Sequence, residues 1–426
     1  MRRQGTSRSF FKLSLLAACA ALALAAVGAR AQEAGGDLGG GAGIFRPKNP
    51  ETSRRRTGTG IKPPTNRPPR NTGGGVRTNA NRTPALPPEV VEERFEDALE
   101  EGNEARDARK YTAAEQSYRS ASQLKPKDWR GSYGLGNVYT DQQRWDEAET
   151  AYKQASNSSG DAQQQADIFV ALSYVLVQPR TGGANARRLL EAEQAARRAI
   201  VIQPSNPVAH DRLGVALEER GMLAAETEQA YRKAIELDPN FAVGYAHLAA
   251  LLGKTGRKSE AGPLYQRAVE LAKDAPTLVL IAGAMQSEQR WVESETVLRR
   301  ALDLDASSPS ALFLLGRALV VMKKFGEAEQ SLTRAIEISP RSFAPYSVLG
   351  SAYLGQGRYE DAEKIYTRAL DVASAGERKG LAGAYGFEGV GDGYAKAGRR
   401  ADALRAYQRG LQLDPTSAGL QAKVKQ

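Results

Sequence analysis

The side chains of this chain that are able to do chemistry are few and scattered. His210 and His247 stand 37 positions apart, neither in a His-Glu-x-x-His pattern. Because a zinc site needs three or four ligands, the pair points to no metal. Gly253-Lys254-Thr255 resembles the end of a phosphate-binding loop but lacks its first glycine, and Gly389, Gly391 and Gly393 alternate without a preceding strand. Ser, Asp and Glu are numerous, yet none stands at the strand-to-helix turn that exposes a nucleophile. The expectation is a non-catalytic chain that takes no cofactor. Asn103 and Asn137 are different: each follows a glycine and they lie 34 positions apart. A carboxamide offers both a donor and an acceptor, which suits it to gripping another main chain.

Composition shows where the elements that must position such groups lie. The 426 residues include 59 Lys+Arg and 49 Asp+Glu. Residues 1–88 hold 15 basic and 3 acidic side chains, so the remaining 44 and 46 leave the rest of the chain at −2. A nearly balanced folded part lacks the footprint of a nucleic-acid binder.

Met1-Arg2-Arg3, Arg8 and Lys12 precede an apolar run from Leu13 to Val27, and Ala29-Arg30-Ala31 precedes Gln32. This is the pattern of an export signal, residues 1–31, cleaved between Ala31 and Gln32. The run is too short to span a bilayer comfortably, and no transmembrane helix is expected in the mature chain. Leu16-Ala17-Ala18-Cys19 admits a second reading, a lipobox with Cys19 lipidated, although only six apolar residues separate Lys12 from Cys19. The expected location is periplasmic or secreted, with a membrane anchor if Cys19 carries lipid.

Residues 32–88 contain 11 Gly and 9 Pro, with 10 basic against 3 acidic side chains. That composition predicts a disordered linker, extended by its own charge. Its basic residues would suit either a solvated spacer or docking on an anionic envelope surface.

From residue 89 onward a 34-residue period governs the sequence. In 309–342, Leu312, Leu315-Gly316, Leu319, Ala328, Leu332, Ala335 and Pro340 occupy positions 4, 7, 8, 11, 20, 24, 27 and 32. The pattern recurs in 343–376 with Tyr346, Leu349-Gly350, Tyr353, Ala362, Tyr366 and Ala369, and in 384–417 with Phe387, Val390-Gly391, Tyr394, Ala403 and Tyr407. Further copies are read at 95–128, 129–162, 166–205, 206–241, 242–275 and 275–308. Apolar residues at 4, 7 and 11, then at 20, 24 and 27, mark one face on each of two helices. Gly or Ala at 8 and 20 permits close backbone approach, and proline at 32 ends the pair. One hairpin cannot bury both faces, so copies must stack. Residues 418–426 look too short and too charged to cap the stack.

These residues resemble the tetratricopeptide repeat (TPR) family. The resemblance implies an all-α solenoid over 89–426, a right-handed superhelix of antiparallel helix pairs in about nine repeats. It also implies a protein or peptide partner in a concave groove, lined by first helices at positions 2, 5, 6, 9, 12 and 13. Those positions carry Val279, Leu280, Phe313, Leu314, Arg317, Val320, Val321 and Val348. Such a stripe either receives a partner's apolar face or is partly buried by curvature. Asn103 and Asn137 fall at position 9, as in TPR carboxylate clamps, but Leu99, Val170 and Tyr174 stand where a clamp needs cations. What remains for the two asparagines is a backbone-binding role. The expected function is an interaction scaffold or adaptor of the bacterial cell envelope, without nucleic acid. The alternative is a TPR lipoprotein or chaperone-like assembly factor for pilus, secretion or outer-membrane components.

Overall fold

A computed structural model describes residues 47–52, 87–158, 160–180, 185–223 and 225–425. Cys19, Ala31, Gln32 and the expected signal lie outside the described residues, as does most of the expected linker. The chain divides into two compact units, one from Pro47 to Leu172 and one that takes the chain from Ser173 onward. Among the described residues there are twenty helices and no strand.

The first unit holds α1 (Pro88–Asp107), α2 (Tyr111–Leu124), α3 (Trp129–Asp141), α4 (Trp145–Ser156) and the start of α5 (Ala162–Leu176). The second unit continues with α6 (Ala186–Ile202), α7 (Pro207–Glu219), α8 (Ala225–Leu237), α9 (Ala242–Lys254) and α10 (Lys258–Leu271). It proceeds through α11 (Ala275–Ser287), α12 (Trp291–Leu304), α13 (Pro309–Val321), α14 (Phe325–Ile338) and α15 (Phe343–Gly355). It ends with α16 (Tyr359–Val372), α17 (Ala375–Gly380), α18 (Phe387–Lys396), α19 (Arg400–Leu413) and α20 (Ala418–Val424). The helices pair off along the 34-residue period, and in the first and third copies the opening helix begins earlier than expected, at Pro88 against 95 and at Ala162 against 166.

Four of the first helices open on side-chain caps that the sequence supplies. Asp128, Asn206, Asp274 and Ser308 each accept from a backbone N–H two or three residues on, and Pro207 and Pro309 follow at the first helical position. Position 8 is small for a specific reason. A Cβ on Gly102 would lie 2.7 Å from the Tyr118 ring, and one on Gly136 2.5 Å from the Tyr152 ring, so the fully buried position-24 tyrosine fills the space above the glycine.

The turn between paired helices places one residue in the left-handed region in eight copies, at position 15 in seven of them. Glycine occupies it at Gly221, Gly256, Gly357 and Gly398, but Arg109, Gln143, Gln289 and Lys323 stand there with φ of 56° to 63°. A side chain at such φ costs about 1–2 kcal/mol, partly offset by the greater entropy a glycine loses on folding. Lys323→Gly and Gln289→Gly, both exposed, are therefore expected to raise stability by about 0.5–1 kcal/mol each. Urea titration checks this, and a loss of stability in both variants would refute it.

In four copies the residue that follows is a cation that bridges to a glutamate in the second helix of the copy before. The pairs are Arg144–Glu115 at 2.8 Å, Arg257–Glu228 at 2.7 Å, Lys324–Glu295 at 2.8 Å and Arg358–Glu329 at 2.7 Å. These pairs are part-exposed and worth at most about 1 kcal/mol each, so they serve register more than stability. The apolar faces carry the fold. In the second unit one buried cluster runs from Tyr231 to Leu420, and in the first Phe95, Leu99, Tyr118 and Val138 close a smaller one.

Two sequence expectations need correction. Residues 418–424 form α20, which buries Leu420 and sends Lys423 to Glu388 and Asp392 at 2.8 and 2.7 Å, so the charged tail closes the last repeat. Residues 47–52, assigned by composition to a disordered linker, are seated on the first unit.

Candidate functional site

In α1 and α3, position 9 is Asn103 and Asn137, and each amide is held in one orientation from behind. Tyr118 donates its hydroxyl to Asn103 Oδ1 at 2.7 Å, and Tyr152 donates to Asn137 Oδ1 at 2.8 Å. With the oxygen engaged, Nδ2 is left to donate. Asn103 gives it to the carbonyl of Pro50 and Asn137 to the carbonyl of Lys48, both at 2.9 Å.

Arg106, one turn beyond Asn103, completes the grip. Its guanidinium is 1% exposed and meets Asp141 with two N–H groups, Nε to Oδ2 at 2.8 Å and Nη2 to Oδ1 at 3.0 Å. Nη1 then donates to the Pro47 carbonyl at 2.7 Å and to Asn49 Oδ1 at 2.8 Å. Burial works against the charge, but the bond and the field of Asp141 outweigh it and hold the Arg106 pKa above its ordinary value. Asn49 returns Nδ2 to Asp107 at 3.0 Å, and Arg130 reaches the Glu51 carbonyl at 3.2 Å.

The recognition has two layers. Four donors read main-chain carbonyls, at Pro47, Lys48, Pro50 and Glu51, and carry no information about side chains. The second layer is specific: Pro47 and Pro50, three residues apart, are buried, Asn49 is bonded from both sides, and Lys48 between them is exposed. Burial raises the Asp167 carboxyl above its ordinary value, with the Lys48 charge pulling the other way. This arrangement holds an extended polypeptide segment, residues 47–52.

The residues of the expected apolar stripe lie in the second unit and divide by burial. Val279, Phe313 and Val348 are buried in its core cluster, so they hold repeats together instead of facing a partner. This corrects their reading as groove surface: first helices of successive copies pack closely enough to cover position 5 or 6. Leu280, Leu314 and Val320 are half-buried against that cluster, and Val321 is half-buried as well. Arg317, at position 9 of its copy, donates to Gln286 at 2.7 Å, lies 5.7 Å from the Phe313 ring centroid, and has its pKa lowered to about 10 by burial.

The histidines do not meet as ligands. His210 bonds the Pro204 carbonyl at 2.9 Å, while His247 Nδ1 pairs with the buried Asp211 at 2.6 Å. Among the described residues no three His, Cys, Asp or Glu side chains are grouped to hold a metal ion, and no helix is long and apolar enough to cross a membrane. Lys254 pairs with Glu218 at 2.5 Å, Gly391 lies under the Tyr407 ring and Gly393 under the Tyr359 ring. The sequence motifs that hinted at phosphate binding are thus occupied by repeat packing.

Sequence reasoning reached Asn103 and Asn137 but passed over Arg106, Asp141 and Arg130. They stand at positions 12, 13 and 2 of their copies, which belong to the groove lining that the resemblance implies. Reading charged side chains at those positions in the first two copies would have found them.

Antiparallel pairs of this length and period, presenting polar first-helix residues to an extended chain, define a class of helical-repeat binding proteins. The model of the Cilia and flagella-associated protein 70 C-terminal domain matches residues 90–339, and the Tetratricopeptide repeat model matches 342–416. The chain belongs to the tetratricopeptide repeat family, in the form that this C-terminal domain describes. No curated protein matches it. Among solved structures, MamA is similar at 20% identity over 42% of this chain and 92% of that one, with a TM-score of 0.35. The human IFIT1 dimer with PPP-AAAA is similar at 14% identity over 80% and 85%, with a TM-score of 0.46. The C-terminal part of a TPR repeat-containing protein from Cytophaga hutchinsonii is similar at 18% identity over 56% and 95%, with a TM-score of 0.43.

Proposed function

We propose that the chain is an exported, non-catalytic interaction scaffold of the bacterial cell envelope that grips an extended segment of a protein partner in the first-unit groove. One observation carries the binding part: Asn103 and Asn137, each fixed by a tyrosine, donate to carbonyls two residues apart in a seated segment. An extended chain presents such carbonyls wherever it comes from, so the grip is transferable between segments. Export rests on the residues before Gln32, and mass measurement of the mature N-terminus distinguishes a chain starting at Gln32 from one starting at lipidated Cys19.

The groove is tested with the double variant Asn103→Ala, Asn137→Ala. Envelope proteins enriched on the wild-type chain are expected to be lost from the variant while its helix content is unchanged. Equal enrichment on both would remove the groove from the function.

A further inference from the structure

We propose that residues 47–52 are an intramolecular occupant of a groove built for a Pro-x-Asn-Pro segment of another protein, with which they compete. This rests on the groove being the binding site. The ligand pattern follows from what the groove reads. Pro47 and Pro50 are buried, the Asn49 side chain is held by Arg106 and Asp107, and Lys48 is held through its carbonyl with its side chain exposed. Two prolines three apart suit an extended, three-residue-per-turn conformation that costs little entropy to bind.

The seated segment has the features of an occupant. It makes its hydrogen bonds to the first unit through four main-chain carbonyls and the Asn49 side chain. Thirty-four residues separate Thr52 from Pro87. Beside Thr52 a cleft of about 790 Å³, lined among others by Lys125, Trp129 and Gln164, extends the groove for a longer partner segment.

A tether of this length sets an effective concentration of about 1 mM, so a segment with a free affinity of about 100 μM would weaken a competing peptide about tenfold. The competitor is a fluorescent peptide with the sequence of residues 44–53, titrated by anisotropy into the full chain and into full-length Pro47→Gly, Asn49→Gly, Pro50→Gly. The triple variant is expected to bind the peptide about tenfold more tightly than the wild type. Adding Asn137→Ala to it is expected to abolish binding, and a peptide with alanine at the Asn49 position is expected to bind more weakly.

Equal, measurable affinity for the wild type and the triple variant overturns the competition and leaves the groove reading intact. A folded triple variant that binds no peptide overturns the groove reading itself. Loss of amide protection in α1–α4 of the triple variant makes the segment an integral part of the fold and also overturns the proposal. A wild-type dimer that the triple variant converts to monomer, seen by sedimentation, identifies the occupant as a second copy and overturns the intramolecular form.

Discussion

Arg106→Ala is expected to destabilise the first unit by about 3–5 kcal/mol, the cost of removing one member of a buried ion pair. Arg106 is 1% exposed and the Asp141 side chain 7%, so neither charge has water to fall back on. With the guanidinium gone, Asp141 keeps its burial and loses two hydrogen bonds, and the Pro47 carbonyl and Asn49 lose a donor. In a repeat array a single melting temperature averages over units, so the readout is hydrogen exchange of the amides in α1–α4. Protection there should fall steeply while that of α13–α16 stays constant. The double variant Arg106→Met, Asp141→Leu separates stability from recognition. Replacing both charges with apolar volume should restore most of the protection, yet the peptide of residues 44–53 should still fail to bind. Unchanged exchange in Arg106→Ala would show that the pair contributes little.

The second large effect concerns Asp211 in α7. It is fully buried, 2.5 Å from Arg212 and 2.6 Å from His247 Nδ1. Burial alone would raise its pKa, but the charges of His247 and Arg212, with their hydrogen bonds, outweigh it and bring the value from 3.8 to about 2. A carboxylate depressed in the folded state stabilises it above the unfolded pKa and loses that contribution as pH falls through the folded one. The window is therefore between about pH 4 and pH 2, and the depression corresponds to about 2 kcal/mol. Urea midpoints of the wild type should fall across that window, and those of Asp211→Asn should fall less. At pH 7, Asp211→Ala should cost about 3–5 kcal/mol because Arg212 is left buried without its carboxylate. Parallel pH profiles for wild type and Asp211→Asn would contradict the assignment.

Much of the fold is legible in the residue spacing. The 34-residue period, the small residue at position 8 and the tyrosine at position 24 record contacts between neighbours about 15 residues apart, so each copy carries its own instructions. The caps at Asp128, Asn206, Asp274 and Ser308 are equally local. The candidate site was half legible: Asn103 and Asn137 stood out because polar residues recur at a first-helix position, while Arg106 was hidden among ordinary surface arginines. Its partner Asp141 lies 35 residues away, and only burial distinguishes the two from solvated charges.

By itself, the sequence determined an all-helical array of TPR pairs, the separation of a basic leading segment from a balanced folded part, and the two asparagines that read a backbone. The tertiary structure alone decided that Val279, Phe313 and Val348 serve the core, that α20 closes the last repeat, and that residues 47–52 lie in the first-unit groove. The reason is physical. Helical periodicity is written by side chains in contact with near neighbours, whereas the docking of 47–52 joins residues 53 to 89 positions apart, largely through backbone carbonyls. Every residue has a carbonyl, so no residue type marks the one that will be bound.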